Sequence, residues 1–313
     1  MPSTAATRTS FAVAWLGAAR RQARHRPLVA VGLGVSALAV LALLVQSLAQ
    51  VAGGELQRPT LYALYGGLSA AAATAAGALP VLVMRGMPQK VEDTMLGFAA
   101  GMMLAATAFS LILPGLDAAK AQVGSELGAA GVVVLGMALG VLLMLGLEQF
   151  TPHEHEVIGP IGPGYERLGR VWLFVFAIVL HNLPEGMAIG VGFSNSDMAV
   201  GIPLTTAIAI QDFPEGLAVA LAMRTAGFSV WTATAAGIGS GLVEPIGALL
   251  GVGLAGGFAI AYPVGLGLAA GAMLFVVSHE VIPETHRNGH QTPATIGLMG
   301  GFMLMMVLDT VLG

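Results

Sequence analysis

The chain of 313 residues contains no cysteine and few charged residues. Without cysteine there are no disulfide scaffolds, thiolate zinc sites or iron–sulfur clusters, so a metal would need nitrogen, oxygen or thioether ligands. Charged residues make up only 10% of the chain, against about 25% in soluble domains. No basic run occurs outside the N-terminal segment, which excludes a nucleic-acid partner on electrostatic grounds. The composition therefore argues against a water-soluble globular protein.

Apolar runs dominate the chain, and 56% of its residues are hydrophobic. A membrane-spanning helix needs roughly 20 mostly apolar residues. The runs are continuous rather than alternating, which predicts helices and not barrel strands. We predict an all-α polytopic protein embedded in a lipid bilayer. The nine predicted spans are residues 28–50, 61–84, 94–116, 128–150, 170–193, 201–224, 228–252, 262–282 and 294–312.

The positions of Lys and Arg indicate how these spans are oriented. With a cytoplasmic N-terminus, 11 of the 13 Lys and Arg residues fall in cytoplasmic segments, and only Arg58 and Lys120 fall outside. This bias follows the positive-inside rule, and an odd number of spans then places the C-terminus outside the cytoplasm. We expect a multi-pass cell-membrane protein. Its Ala- and Gly-rich composition favours a bacterial source, and hence an inner membrane.

We predict a basic cytoplasmic N-terminus at 1–27, an additional helix at 28–50 and an eight-helix domain at 61–312 that includes a cytoplasmic loop at 151–169. The first apolar run has an alternative interpretation as a signal peptide cleaved after Ala49. Its length exceeds the usual 7–15 residues of such a segment, which favours a retained helix.

Two adjacent spans carry the same motif 30 residues apart, HNLPEG at 181–186 and QDFPEG at 211–216. Each motif lies at the middle of its span. Because consecutive spans run antiparallel, both motifs lie at the same depth in the membrane. Helical spacing places the first, second and fifth residues of each motif on one face. The polar residues on these faces are His181, Asn182, Glu185, Gln211, Asp212 and Glu215.

Glu244, in the next span, adds another carboxylate before a mid-helix proline. Together with Glu185, Asp212 and Glu215 it places four formal negative charges near the bilayer centre, with no Lys or Arg at that depth. An unpaired charge there costs at least about 2.5–3.5 kcal/mol. The carboxylates are therefore either protonated or balanced by cations, and two divalent ions would balance four of them. Imidazole, carboxylate and amide ligands suit Zn²⁺ and neighbouring divalent metals. The alternative is that these groups only hold helices together by hydrogen bonds.

The paired HNLPEG and QDFPEG motifs resemble the signature of the ZIP (Zrt-/Irt-like protein) family of divalent metal transporters. The resemblance covers about residues 61–312, and the span at 28–50 is additional to the family's eight helices. It implies a binuclear metal site in which Glu185 and Glu215 bridge the two ions. The implied ligands are His181, Asn182, Glu185, Gln211, Asp212, Glu215 and Glu244. Met103 matches a further family ligand more loosely, and a lone Met in an apolar helix more often serves packing.

The resemblance also implies a homodimer that works by elevator-like alternating access. In that mechanism one group of helices moves against the other. The moving spans would be 61–84, 170–193, 201–224 and 228–252, and the others would be 94–116, 128–150, 262–282 and 294–312.

Polar residues near the span ends suggest a route for the ion. Asp117, at an outer end, would attract entering cations, although a solvated loop carboxylate is an equal alternative. The predicted exit residues at an inner end are His279, Glu280, Glu284 and His286. The alternative there is a plain helix terminus.

His153 and His155 lie in the cytoplasmic loop and resemble a reduced form of the family's histidine-rich loop. Flexible histidines there would bind zinc weakly, or would be inert. Asp309, in the last span, has no assigned role.

These observations favour a transporter that admits Zn²⁺, and also Cd²⁺, into the cytoplasm, and not an enzyme. Whether it is a channel or a carrier, and whether protons are coupled, stays open. One alternative is an intramembrane metal-dependent hydrolase, but His279-Glu280 lacks the second His of an HExxH motif. The other is a proton-driven carrier that uses the carboxylates as a relay.

Overall fold

The computed structural model is helical almost throughout, as expected for a chain in lipid, where backbone groups have no water to bond. It describes residues 20–54, 57–84, 86–150, 153–155, 159–161, 170–194, 196–225, 227–255 and 259–312. The predicted all-α polytopic class is confirmed. The predicted N-terminal segment 1–27 lies largely outside the described residues.

The α-helices follow one another along the described residues with short connections. They are α1 (Pro27–Ala52), α2 (Gln57–Ala78), α3 (Gln89–Ala106), α4 (Leu113–Val123), α5 (Glu126–Phe150), α6 (Arg170–Phe193), α7 (Met198–Thr225), α8 (Val230–Gly241), α9 (Val243–Ala255), α10 (Ala261–Val276), α11 (Ile282–His286) and α12 (Gln291–Leu312). The π-helical turns Thr107–Ile112 and Val277–Val281 join α3 to α4 and α10 to α11, and the 3-10 turn Leu79–Leu82 extends α2.

Each of the nine predicted spans coincides with a helix or with helices joined end to end. Within the described residues, six of these are long and apolar enough to cross a membrane, which makes the chain a multi-pass membrane protein. The other three are α1, α6 and α7, with 26, 24 and 28 residues. At about 1.5 Å per residue, each is longer than a hydrocarbon core of roughly 30 Å.

Close backbone contacts at glycine join α2, α6, α7, α8 and α9, which we call the site bundle. A Cβ on Gly186 of α6 would lie 2.2 Å from the carbonyl oxygen of Glu244 in α9. A Cβ on Gly77 of α2 would lie 2.0 Å from the carbonyl oxygen of Phe213 in α7. Only glycine permits such close approach, and small residues of this kind drive helix packing in lipid.

The remaining helices, α3, α4, α5 and α10 to α12, form what we call the support bundle. A Cβ on Gly101 of α3 would lie 1.9 Å from the carbonyl oxygen of Leu298 in α12. A Cβ on Gly271 of α10 would lie 2.2 Å from the carbonyl oxygen of Met137 in α5. The support bundle therefore consists of two glycine-packed helix pairs, joined through α4 and the π-helical turn after α3.

The first helix, α1, packs against α5 of the support bundle and α9 of the site bundle. Its Leu33 lies against Gly146, where a Cβ would come within 2.6 Å of the leucine side chain. The helix predicted at 28–50 therefore contacts both bundles.

Part of the predicted cytoplasmic loop forms a small hairpin. Strand β1 (His153–His155) pairs antiparallel with β2 (Gly159–Ile161), with His153 opposite Ile161 and His155 opposite Gly159. The two short strands satisfy each other's backbone groups, and the flexibility of the histidine-bearing segment stays a prediction. The rest of the loop lies outside the described residues.

Candidate metal centre

The two motifs lie in unbroken helices that pack against each other. Pro184 is inside α6 and Pro214 is inside α7, and both helices continue on either side. His181, Asn182 and Glu185 are 5%, 1% and 0% exposed, as expected for residues that share one inward face of a helix. The helical prediction for both motifs is therefore confirmed.

Carboxylates from both motifs meet between α6 and α7. One oxygen from each of Glu185, Asp212 and Glu215 lies within 4.8 Å of the others, and all three residues are buried. Like charges held this close repel strongly in a medium of low dielectric constant. An arrangement of this kind can bind a cation directly.

A fourth carboxylate reaches the same region from α9. Glu244 is fully buried in the first turn of α9, just after Leu242 interrupts the helical run. Its Oε1 accepts hydrogen bonds from Thr74 Oγ1 at 2.7 Å and from Asn182 Nδ2 at 3.3 Å. Asn182 therefore links the carboxylate of α9 to the motif of α6.

The two amide side chains direct their donors to protein acceptors. Asn182 Nδ2 also donates to the carbonyl oxygen of Ser240 at 3.0 Å. Gln211 Nε2 donates to Glu185 Oε1 at 2.6 Å. The carbonyl oxygens of both amides are left as acceptors.

Buried oxygens with no hydrogen-bond donor remain on six of these side chains. They are Asn182 Oδ1, Glu185 Oε2, Gln211 Oε1, both oxygens of Asp212, both oxygens of Glu215, and Glu244 Oε2. Buried polar atoms are normally satisfied, so a group of unsatisfied acceptors needs an explanation. These atoms are carboxylate and amide oxygens, which suit a bound cation and not an anion.

The surroundings of His181 include a residue of the π-helical turn Val277–Val281, which joins α10 to α11. His181 Nε2 lies 2.7 Å from Oε2 of Glu280 in that turn. Glu280 was predicted as an exit residue, but this contact places it beside the motif of α6.

The sequence of the chain is similar to those of known zinc transporters. The family model described as "ZIP Zinc transporter" matches residues 148–309. The zinc transporter ZIPB of Bordetella bronchiseptica is 60% identical over 305 residues, covering 97% of this chain and 99% of that protein. The chain belongs to the ZIP family.

Two further relatives of this ZIP chain are more distant. The zinc transporter GufA of Myxococcus xanthus is 41% identical over 250 residues, covering 80% of this chain and 98% of that protein. The zinc transporter ZupT of Corynebacterium glutamicum is 34% identical over 251 residues, covering 77% of this chain and 95% of that protein. These names confirm the family resemblance, and they describe transporters rather than enzymes, which disfavours the hydrolase alternative.

The other predicted exit residues of this ZIP chain are directed to separate partners. His279 Nε2 lies 3.0 Å from Oε1 of Glu148 in α5. Glu284 pairs with Arg287 at 2.9 Å, and His286 Nδ1 lies 3.0 Å from the carbonyl oxygen of Ile282. The π-helical turn directs His279 and Glu280 to different helices, so the structure does not bring the four predicted residues into one cluster.

The contacts described above do not involve the remaining predicted site residues. Met103 is 1% exposed in the apolar core, and Asp117 is exposed on α4. His153 and His155 lie on β1. Their roles in metal binding, entrance and regulation stay predictions.

Several contacts were not foreseen from the sequence. Thr74 reaches Glu244 from α2, and its signal was faint: a single hydroxyl within the alanine- and glycine-rich stretch 70–78. Glu148 pairs with His279 across a sequence separation of 131 residues. Asp309, which had no assigned role, accepts a hydrogen bond from Ser110 Oγ at 2.6 Å.

Proposed function

We propose that this chain carries Zn²⁺ through the membrane into the cytoplasm, and that the ion binds among the motif residues of α6 and α7. The observation that carries the proposal is the group of buried oxygens without donors on Asn182, Glu185, Gln211, Asp212, Glu215 and Glu244. These oxygens would replace the water that the ion loses. The zinc-transporter names of the relatives support the same substrate.

The charge of the site supports two ions. Four carboxylates converge there, and the Arg residues of α6 and α7 lie at the helix ends, at positions 170 and 224. Two divalent cations would balance this charge. We assign the ligand roles to His181, Asn182, Glu185, Gln211, Asp212, Glu215 and Glu244, with Met103 as a further ligand, and the bridging role to Glu185 and Glu215.

The ligand types favour Zn²⁺ and also suit Cd²⁺. The site offers one imidazole together with carboxylate and amide oxygens, and the chain has no cysteine. Such a set binds several divalent transition metals, and histidine disfavours Mg²⁺ or Ca²⁺ as the main cargo. We therefore propose that Cd²⁺ competes with Zn²⁺ for the same route.

The charge bias of the loops indicates how the chain is oriented in the membrane. With 11 of 13 Lys and Arg residues on one side, we place the N-terminus in the cytoplasm and the C-terminus outside. The bacterial relatives support an inner-membrane location. Asp117 would then lie at the entrance and His279, Glu284 and His286 near the exit. Homodimeric assembly is proposed on the family resemblance.

An elevator-like movement agrees with how the helices pack. In the described part of the chain, every glycine whose added Cβ would come within 3.0 Å of another helix's backbone packs inside one bundle. One side-chain contact between the bundles is that of His181 with Glu280. Close backbone contacts hold together the five helices of the site bundle and each of the two helix pairs of the support bundle, so each of these units is suited to move as one body.

The test is zinc influx into proteoliposomes that contain the purified chain. We expect influx by the wild type, and none above empty liposomes for His181→Ala/Glu185→Ala, because this double variant removes an imidazole and a carboxylate from the site. The matched control is Lys120→Ala/Glu126→Ala, which removes an exposed ion pair and is expected to transport normally. Equal influx by wild type and a correctly folded site variant would contradict the proposal.

A further inference from the structure

A buried hydroxyl from a helix that carries none of the predicted ligands touches the site. Thr74, on α2, is fully buried. Its Oγ1 lies 2.7 Å from Glu244 Oε1 and 3.2 Å from the carbonyl oxygen of Ala70. A hydroxyl has one hydrogen to donate, and the shorter contact is to the carboxylate. The bond to Glu244 is therefore the main interaction of this side chain.

Two glycines hold Thr74 in this place. A Cβ on Gly216 of α7 would lie 2.0 Å from the carbonyl oxygen of Thr74. A Cβ on Gly241 of α8 would lie 2.7 Å from Thr74 Cβ and 3.1 Å from Glu244 Oε1. Three helices thus meet at this residue without room for it to shift, so the direction of its hydroxyl is set by the packing.

The contact makes the two oxygens of Glu244 unequal. Oε1 accepts hydrogen bonds from Thr74 and Asn182, whereas Oε2 is buried with no donor. We propose that Thr74 is a positioning residue that holds Glu244 with Oε2 available to the ion. This inference rests on the proposed metal-transport function and names the group that orients one ligand of that same site.

The physical reason is the preorganisation of a charged ligand. Without the hydroxyl, the carboxylate keeps only the longer hydrogen bond from Asn182 and can rotate more freely, so the ion must order it on binding. Partners that orient metal ligands typically account for 10- to 100-fold in metal affinity. Gln211 plays a similar part for Glu185, but it is itself a predicted ligand. Thr74 therefore allows the orienting effect to be measured by itself.

The experiment compares zinc affinity of the purified full chain by competition with a fluorescent chelator, alongside thermal unfolding without metal. Thr74→Val keeps the shape and removes the donor, so we expect about 10- to 100-fold weaker binding with little change in metal-free unfolding. Thr74→Ser restores the hydroxyl and is expected to bind within about threefold of wild type, because a donor is again available. A loss of packing alone would not be rescued in this way.

The matched control is Thr234→Val in α8. Thr234 is 4% exposed, and its Oγ1 has no hydrogen-bond partner. The same substitution there removes a buried hydroxyl that orients nothing, and we expect wild-type zinc affinity. If Thr74→Val does not fold, Thr74→Ala removes the donor without adding volume, and the same weakening is expected.

The outcomes separate the two proposals. Wild-type affinity in a folded Thr74→Val or Thr74→Ala protein would overturn the positioning role and leave the proposed function intact. Equal weakening in Thr74→Ser and Thr74→Val would also overturn it. Absence of zinc binding by the wild type would overturn the proposed function, and the positioning role with it.

Discussion

The site bundle and the support bundle both bury carboxylates, but they treat them differently. Asp93 of the support bundle and Asp212 of the site bundle are each 1% exposed. Asp93 accepts hydrogen bonds from Gln89 and Asn288, each at 3.1 Å, and lies 2.7 Å from His290 Nδ1. Both oxygens of Asp212 lack a donor. Burial alone therefore does not mark a functional residue, whereas a cluster of buried carboxylates without donors points to a bound cation.

The partners of the two aspartates determine what each one does in the structure. Asp93 ties α3 to the segment that connects α11 with α12, so its partners are part of the fold. Asp212 lies against Glu185 and Glu215 instead, and as charged groups these three repel one another unless a proton or a cation intervenes. The buried carboxylate of Asp93 is satisfied by the polypeptide, whereas that of Asp212 has no donor within the described residues.

The largest effect is expected from Asp212→Asn. The change removes a charged ligand, so zinc affinity should fall by roughly 100-fold, or about 2.7 kcal/mol. It also relieves repulsion, so metal-free thermal stability should rise. Zinc titration and thermal unfolding in detergent measure both quantities. A fall in metal-free stability would contradict our view of the site as a strained acceptor cluster.

The same substitution in the support bundle, Asp93→Asn, should lower the stability of the protein instead of raising it. An amide cannot accept from all of the groups that surround Asp93, and an unsatisfied buried group costs about 1–3 kcal/mol. We therefore expect a lower unfolding temperature with zinc affinity unchanged. Weakened zinc binding with unchanged stability would show that the two carboxylates are not distinguished by their partners.

Glycine contacts should matter equally in both bundles. Gly101→Ala and Gly190→Ala each place a Cβ 1.9 Å from a carbonyl oxygen of a neighbouring helix. We expect each to lower the free energy of unfolding by about 1 kcal/mol or more, because the paired helices must separate. Gly239→Ala is the control, since its Cβ would meet nothing within 4 Å. That control should be neutral or slightly stabilising, and comparable losses at all three positions would argue against close packing as the cause.

The smallest effect concerns the contact between the bundles. Glu280 lies 2.7 Å from His181 Nε2, so it competes with a metal ion for that nitrogen. Glu280→Gln replaces a charged partner by a weaker neutral one, and we expect zinc affinity to rise a few-fold. Chelator competition measures the change, and weaker binding would instead assign Glu280 to the ligand set.

The sequence by itself determined the class of the protein and the position of the candidate site along the chain. Apolar runs of span length predict helices because lipid offers backbone groups no other partner. Asn182 and Glu185 are three residues apart, and the helical period alone places residues at this spacing on one face. Both inferences use only local geometry, which is why the structure agrees with them.

Only the tertiary structure decided which groups complete the site. Thr74 and Glu244 are 170 residues apart, and their contact depends on three helices packed at glycine. Neighbours in sequence were separated as well, because the π-helical turn directs Glu280 to His181 and His279 to Glu148. A π turn holds more residues than an α turn and so redirects the side chains within it. Contacts of this kind depend on distances between helices, which sequence periodicity does not specify.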